Sequence, residues 1–309
     1  MKKKFIAWIV TICIIGGGVV SGSFFAFNKT CLRVDGDWGI SLEKASRNQF
    51  QAFNEAYYIQ HGSNEKIEIR AKDNTKLVAH YYEKREKAPV IIFFPGYRGN
   101  SAYGSVPFYN AAEKLKWNAL LITHRASGES GGRYSTLGGQ EKSDCIEWVK
   151  WVKDHCGEDT PVYLAGVSMG ASYILMASES ASAYSVHGII SDCGFAGPIK
   201  IIDRGTKEKL PGWMPIQIWD FFLESGTRLF GKFSISQIDA TEAIRKTSIP
   251  ILYIHSDTDE LAPLSEIYKL YNSEKDERVV LHGAAHGESY VTDPDTYSKA
   301  IINFMRKHE

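Results

Sequence analysis

The chain has 309 residues, of which 44% are hydrophobic, and it carries 36 basic and 36 acidic side chains. This is enough apolar material for one large globular domain or two small ones. The balanced charge leaves no basic footprint of the kind that binds nucleic acid, so nucleic acid is excluded as an expected partner.

The first predicted element is an apolar N-terminal segment. Lysines at positions 2–4 precede an uncharged stretch over residues 5–27. At ~1.5 Å per helical residue, this stretch would cross a hydrocarbon core of about 30 Å. We therefore predict that residues 1–28 form a cytoplasmic lysine cluster and a single-pass transmembrane signal-anchor. The remainder would lie on the outer side of the cytoplasmic membrane.

A cleaved signal peptide is the alternative interpretation of this segment. Ser21 and Ser23 fit the small-residue pattern of a signal-peptidase site, and cleavage there would give a secreted protein. The run FFAF continues the apolar stretch past that site, where a cleaved signal normally becomes polar. This continuation favours the anchor.

A lead-in helix and a hairpin are expected next. Within residues 29–63, the predicted lead-in, Leu42, Ala45, Ala52 and Phe53 fall on one helical stripe, which indicates an amphipathic helix. The stretches KIEIRA and KLVAHYYE then alternate as strands do, and the turn residues KDNT between them predict a hairpin.

From there on, strands and helices alternate along residues 64–309. Strands are predicted at 90–94, 119–123, 162–167, 188–191, 251–255 and 278–281, and helices near 109–116, 141–155, 171–179, 264–271 and 294–307. This alternation is typical of an α/β fold with a mostly parallel sheet covered by helices on both faces.

One segment, over about residues 195–243, breaks the alternation. It is rich in aromatic side chains and contains no clean strand, so it is either core or a small helical cap over a cleft. In the second interpretation Trp213, Trp219, Phe221 and Phe222 line an apolar substrate pocket.

The pentapeptide GVSMG places Ser168 between a predicted strand and a predicted helix. Residues 161–167 form a short apolar run, and residues 169–181 are rich in Ala, Met and Leu without proline. A strand, a sharp turn with serine and a helix make up a nucleophile elbow. Side chains at Gly166 and Gly170 would clash in so tight a turn.

A base and an acid follow at the ends of later strands. His286 lies on a Gly-flanked loop, and Asp257, Asp259 and Glu260 follow the strand that ends at His255. Asp192 is a further candidate acid, because it follows the predicted strand over residues 188–191. The carboxyl ends of parallel strands meet at one edge of a sheet. His255 and His282 are alternatives to His286 that fit satisfied core histidines better. A metal pair of His282 and His286 is disfavoured, because no helix holds the two rings on one face.

From about Ile67 to the C-terminus the chain resembles the α/β-hydrolase superfamily. It is most similar to bacterial membrane-anchored serine hydrolases related to acyl esterases and prolyl-oligopeptidase-like catalytic domains. GVSMG matches the elbow and AAHGES the histidine loop, while HSDTDELAP is similar to H-G-x-x-D-x-x-V-P, which places the acid on Asp259. FFPGYRGN has Pro95 where the family has His, and THRASGESGG has Thr123 and Ala126 where the family has Asp and Gly.

The resemblance implies a catalytic triad of Ser168, His286 and Asp259, with the backbone N–H groups of Tyr97 and Met169 as the oxyanion hole. We expect a serine hydrolase that cleaves carboxylic esters of a small acyl substrate, with no metal or other cofactor. A peptidase or amidase of the same mechanism is the alternative, and a tethered non-catalytic binding protein is a further one. Neither substrate identity nor oligomeric state follows from the sequence.

Overall fold

In the computed structural model, residues 2–33, 47–97, 101–207, 209–268, 270–272 and 274–309 are described. Eight strands form one sheet, in the order β1-β2-β4-β3-β5-β6-β7-β8. They are β1 (Glu65–Arg70), β2 (Lys76–Tyr82), β3 (Val90–Phe94), β4 (Asn118–Thr123), β5 (Val162–Val167), β6 (Val186–Asp192), β7 (Ile251–Ser256) and β8 (Glu277–Leu281).

The hairpin strands β1 and β2 are antiparallel, and β2 is antiparallel to β4. From β4 to β8 every neighbouring pair is parallel. All predicted strands, including the hairpin, are therefore confirmed. For β3 to β7 a short apolar run between turn residues was a sufficient signal, because these strands are buried on both faces.

Helices cover the sheet and build the insertion. They are α1 (Lys2–Cys31), α2 (Arg47–His61), α3 (Ser101–Leu115), α4 (Glu141–Cys156), α5 (Met169–Ala181), α6 (Pro198–Lys207), α7 (Ile216–Gly226), α8 (Thr241–Lys246), α9 (Ser265–Tyr268), α10 (Ser289–Thr292) and α11 (Pro294–Lys307). A π-helical turn, Thr227–Gly231, continues α7. Residues 41–46 of the predicted lead-in helix lie outside the described residues.

Two predicted helices differ in extent. Helix α3 begins at Ser101 and not near residue 109. It contains Pro107 in its interior, although a proline there usually ends or kinks a helix. The helix predicted over residues 264–271 is confined to Ser265–Tyr268.

Two apolar clusters form the core, one on each face of the sheet. Alternation along β3 sends Ile92 and Phe94 into one cluster and Ile91 and Phe93 into the other. The first cluster includes residues of α4, α5 and the insertion, and the second includes residues of α2, α3 and α11. Both faces of the central strands are therefore covered by packed apolar side chains, which fixes the positions of the strand ends.

The C-terminal part of α1 belongs to the first cluster. Ala26 and Phe27 are 1% and 0% exposed, and α1 packs along α7. The contact is close, because a side chain on Gly226 would collide with the backbone of Ser23. Among the described residues, no helix is long and apolar enough to cross a membrane. The transmembrane segment predicted within residues 1–28 is thus unsupported, and its last turns are packed on the domain.

Candidate active site

Ser168 occupies a strained turn between β5 and α5. Its backbone has φ 55° and ψ −118°, a conformation that costs a non-glycine residue of order 1–3 kcal/mol. A side chain on Gly166 would come within 2.6 Å of the Ala171 nitrogen, and one on Gly170 would overlap the carbonyl oxygens at the end of β3. Both glycines are therefore required by the turn, as the pentapeptide predicts.

Backbone hydrogen bonds hold this turn in place. The Ser168 N–H donates to the Asp192 carbonyl at the end of β6, over 2.8 Å, and the Ser168 carbonyl accepts from the Ser172 N–H over 3.0 Å. The elbow is thus tied to the neighbouring strand on one side and to the first turn of α5 on the other. These hydrogen bonds keep Ser168 in its strained backbone conformation.

His286 lies within hydrogen-bond distance of the elbow serine. Ser168 Oγ and His286 Nε2 are 2.7 Å apart. The histidine is carried by the loop after β8, in which Gly283 and Gly287 have φ values of 77° and 75° that favour glycine. Its side chain is 18% exposed, so one edge of the ring faces solvent while the other faces Asp259.

Asp259 orients the histidine ring from the far side. Its Oδ2 lies 2.8 Å from His286 Nδ1, and its Oδ1 accepts the Ala262 N–H over 2.8 Å. Burial alone would raise the pKa of Asp259, but the hydrogen bond and charge of His286 together with the Ala262 amide outweigh it, so this pKa lies below its ordinary value. The carboxylate is therefore ionised and fixes the Nδ1–H tautomer of the ring.

His255 is a second neighbour of Asp259. It is 1% exposed, its Nε2 donates to the Ala262 carbonyl, and the same nitrogen lies 3.6 Å from Asp259 Oδ2. Burial lowers the pKa of His255, so the ring is neutral. His255 is a core histidine that packs beside the carboxylate, as the sequence indicates.

The other candidate acids have different partners. Asp257 Oδ2 lies 2.6 Å from Nδ1 of the exposed His282. Asp192 Oδ2 accepts the Tyr297 hydroxyl over 2.8 Å. The structure therefore brings Asp259, and neither of these two, to the ring of His286. His282 and His286 also differ in role, because His282 pairs with Asp257 and His286 pairs with Asp259.

The two residues predicted for the oxyanion hole flank the serine. Met169 is the first residue of α5, so its N–H has no acceptor within the helix. Tyr97 follows Gly96, whose α-carbon lies beside the Ser168 side chain: a Cβ there would be 3.8 Å from that of Ser168. Nε2 of the partly buried His124 donates to the Pro95 carbonyl over 2.8 Å and supports this loop.

A thiol completes the surroundings of the histidine. Cys193 Sγ lies 4.0 Å from His286 Nε2. Cys193, Asp259 and His286 each have an atom that could bind a metal ion, and these three atoms lie within 4.8 Å of one another. A metal does not fit this set, because both ring nitrogens are already engaged, Nδ1 by Asp259 and Nε2 by Ser168. Burial also raises the pKa of the Cys193 thiol well above its usual value, which keeps the sulfur protonated.

The four predicted pocket residues do not form one wall. Trp213 and Phe221 are 75% and 54% exposed, whereas Trp219 is buried and meets Phe25 of α1 edge to face at 6.3 Å. The Phe222 ring sits against Gly22 of the same helix. The physical reason is that α1 packs along α7 and takes up the contacts of Trp219 and Phe222.

Three neighbours of the site did not emerge from the sequence. Thr30 accepts the Tyr97 hydroxyl through its carbonyl, His124 supports Pro95, and Cys193 sits beside His286. Thr30 could not be found, because backbone acceptors leave no residue-type signal. Cys193 could have been suspected, since it follows a parallel strand directly, as the candidate acids do.

No protein-family model matches the chain. It is 30% identical over 195 residues to the YqkD protein of Bacillus subtilis, a match that covers 62% of this chain and 63% of that protein. It is 24% identical over 210 residues to lysophosphatidylserine lipase ABHD12 of Danio rerio, covering 66% of this chain and 51% of that protein. The chain thus spans less than two thirds of either relative.

An esterase of Pyrococcus furiosus has a similar structure, with a TM-score of 0.64 and 23% identity over 80% of this chain and 91% of that one. A likeness at this level of identity establishes the architecture and not the chemistry. The likeness to prolyl-oligopeptidase-like domains remains a prediction. Together with the strand order and the elbow between β5 and α5, the match gives the chain the α/β-hydrolase fold.

Proposed function

We propose that the protein is a serine hydrolase that cleaves carboxylic esters through an acyl-enzyme intermediate. One observation carries the proposal: a continuous hydrogen-bond chain runs from Ser168 through His286 to the buried Asp259, at 2.7 and 2.8 Å. A serine held in a strained turn, an imidazole within hydrogen-bond distance of it and an ionised carboxylate are the groups that acyl transfer requires.

In the first half-reaction, Ser168 Oγ attacks the ester carbonyl carbon while His286 Nε2 takes the hydroxyl proton. Asp259 stabilises the imidazolium without accepting its proton. Collapse of the tetrahedral intermediate breaks the bond to the alcohol oxygen, which leaves with the proton from His286. In the second half, the imidazole deprotonates a water that attacks the acyl carbon, releasing the carboxylic acid and restoring the serine.

The N–H groups of Met169 and Tyr97 would hold the oxyanion in both half-reactions. Donors that are fixed before the reaction stabilise the developing charge without reorganisation, and one such donor is typically worth about 3 to 4 kcal/mol. The α5 N-terminus adds a favourable dipole at the same point. No metal or other cofactor is needed for any of these steps.

Ester substrates are favoured over amides by the matched proteins. One is named a lipase and one an esterase, and both names denote ester cleavage. We propose an acyl ester as the substrate class on that basis. We further propose that α1 attaches the protein to the cytoplasmic membrane with the catalytic domain on the outer side, because lysines at positions 2–4 precede an uncharged stretch.

The test is labelling with a fluorophosphonate probe, followed by hydrolysis of matched ester and amide substrates that share one acyl group. Ser168→Ala should abolish labelling and reduce ester turnover by several orders of magnitude. Ser180→Ala is the matched control, because Ser180 is an exposed serine on the same helix. Turnover near the wild-type rate in Ser168→Ala would contradict the proposal, and faster cleavage of the amide would favour a peptidase.

A further inference from the structure

Exposed apolar side chains are concentrated on one part of the molecule. Thirteen large hydrophobic residues are exposed among those described, and all but Tyr57 and Tyr58 lie on α1 or in the insertion. We define the cap face as the exposed apolar residues where the end of α1 meets α7 and the π-helical turn. Its members are Phe24, Phe25, Ile218, Phe221, Leu229 and Phe230.

Contacts between the two elements make this a continuous surface. The rings of Phe24 and Phe230 meet edge to face at 5.2 Å. Phe221 contacts Phe222 at 5.6 Å, and the Phe222 ring in turn sits against Gly22 of α1. A large exposed apolar surface of this kind marks a contact with a membrane or with another molecule.

The N-terminal half of α1 extends from this surface without covering it. Trp8, Ile14 and Ile15 are 71%, 70% and 61% exposed. No described atom lies within 4 Å of a Cβ placed on Gly16, Gly17 or Gly18, apart from those of the helix itself and the chain neighbours. Large apolar side chains on a helix are stable in a protein core or in lipid, and these three side chains are not in a core.

We propose that the cap face lies against a lipid bilayer, alongside the N-terminal half of α1. Basic residues accompany the apolar ones: Lys209 and Lys232, which precede and follow α7 in the sequence, are both exposed. Lysines of this kind attract anionic head groups while aromatic and aliphatic side chains enter the interface. The inference rests on the proposed attachment through α1 and adds that the catalytic domain itself touches the membrane.

This arrangement places the bilayer close to the catalytic elements. From Phe24 to Thr30, which accepts the Tyr97 hydroxyl, α1 rises only about 9 Å. A membrane against the cap face therefore lies within two helical turns of the oxyanion loop. Acyl esters that reside in the membrane would have the shortest route to Ser168.

The experiment places an environment-sensitive fluorophore on the cap face of the full chain. Phe221→Cys and Leu229→Cys are labelled with a nitrobenzoxadiazole thiol reagent in a Cys13→Ser background, and the labelled background serves as the blank. Tyr58→Cys is the matched control, because Tyr58 is an exposed aromatic residue on a helix outside the cap face. Each protein is reconstituted into phosphatidylcholine and phosphatidylglycerol vesicles, with or without doxyl-labelled lipid. Thermal unfolding confirms that each variant is folded.

We expect the vesicles to carry the protein on flotation, with doxyl quenching at positions 221 and 229 at least twice that at position 58. Equal quenching at all three positions in floating vesicles would overturn the cap contact while leaving attachment through α1 intact. Failure to float would overturn both. Iodide, a water-soluble quencher, provides a further measurement. If the fluorophores at positions 221 and 229 are protected from iodide but are not quenched by doxyl lipid, a second copy of the chain covers the face, which also contradicts the proposal. None of these outcomes depends on hydrolase activity.

Discussion

The hydroxyl of Tyr97 donates a hydrogen bond to the backbone carbonyl of Thr30, and so joins the loop after β3 to the last turn of α1. This contact connects the proposed oxyanion loop to a helix that precedes the catalytic domain in sequence. Next to it, Leu32 pairs with Tyr134 in an isolated β-bridge, which fixes the chain leaving α1. The end of α1 is therefore a structural part of the active-site surroundings.

A chain that begins at Asn28 should be markedly less stable than one that begins at Gly18. The shorter chain loses Phe27, which is fully buried, and the α1 backbone that packs on Gly226. Loss of a buried Phe side chain alone costs about 3 to 5 kcal/mol. Urea unfolding of both chains measures the difference. Equal free energies of unfolding would contradict the assignment of this turn to the core.

Tyr97→Phe should lower kcat for a soluble ester by about 5- to 10-fold with KM nearly unchanged. The substitution removes one hydrogen bond worth roughly 1 kcal/mol and loosens the loop that carries the backbone donor. The position of the residue 97 N–H donor matters more for the transition state than for the bound ester. The substitution should therefore lower kcat and leave KM nearly unchanged. Tyr58→Phe is the control. A rise in KM alone would mean that the hydroxyl serves substrate binding.

Asp259→Asn should cost roughly 10³- to 10⁴-fold in kcat, because an amide in place of the carboxylate favours the wrong tautomer of His286. Asp257→Asn should stay within about 3-fold of the wild type, because Asp257 pairs with the exposed His282. Steady-state kinetics of folded variants decide between them. Greater sensitivity at Asp257 would show that the acid is assigned wrongly.

Asp192→Asn should stabilise the protein at alkaline pH. Burial raises the pKa of Asp192 to about 6 from 3.8, although the Tyr297 hydrogen bond opposes the rise. The folded state therefore binds this proton more tightly than the unfolded state. Stability falls as pH rises from about 4 to 6, and the loss persists above that range. Asn keeps an oxygen acceptor for Tyr297 and carries no charge.

The expected gain for Asp192→Asn is at most about 3 kcal/mol at pH 8 and close to zero below pH 4, where the carboxyl is neutral in both states. Urea unfolding of both proteins at the two pH values measures it. A gain of equal size at both pH values would mean that the effect comes from packing and not from ionisation.

Local signals explain which parts of this molecule were predictable. The elbow at Ser168 needs glycines at fixed offsets for steric reasons, and the positions of Asp259 and His286 follow from the ends of parallel strands. The cap was not predictable in the same way. An aromatic run such as the one around Trp219 has the same composition whether it lines a pocket or packs on another helix. Only the tertiary contact with Phe25 decides this.

The packing of the end of α1 on the domain was not predictable for a related reason. Hydropathy treats residues 5–27 as one apolar stretch, and nothing in it marks the point near Gly22 where packing on α7 begins. The packing of α1 on α7 involves contacts between residues that are distant in sequence.

If Ser168 carries the acyl group during turnover, the acyl-enzyme intermediate can be trapped on this residue. The full chain is quenched in acid within the first turnover of an activated ester, and the peptides are mapped by mass spectrometry. We expect one acyl adduct, on the peptide that contains Ser168, with fragment ions that assign it to that serine, and no adduct in Ser168→Ala. An adduct on Ser172 or Cys193, or one that persists in Ser168→Ala, would contradict this expectation.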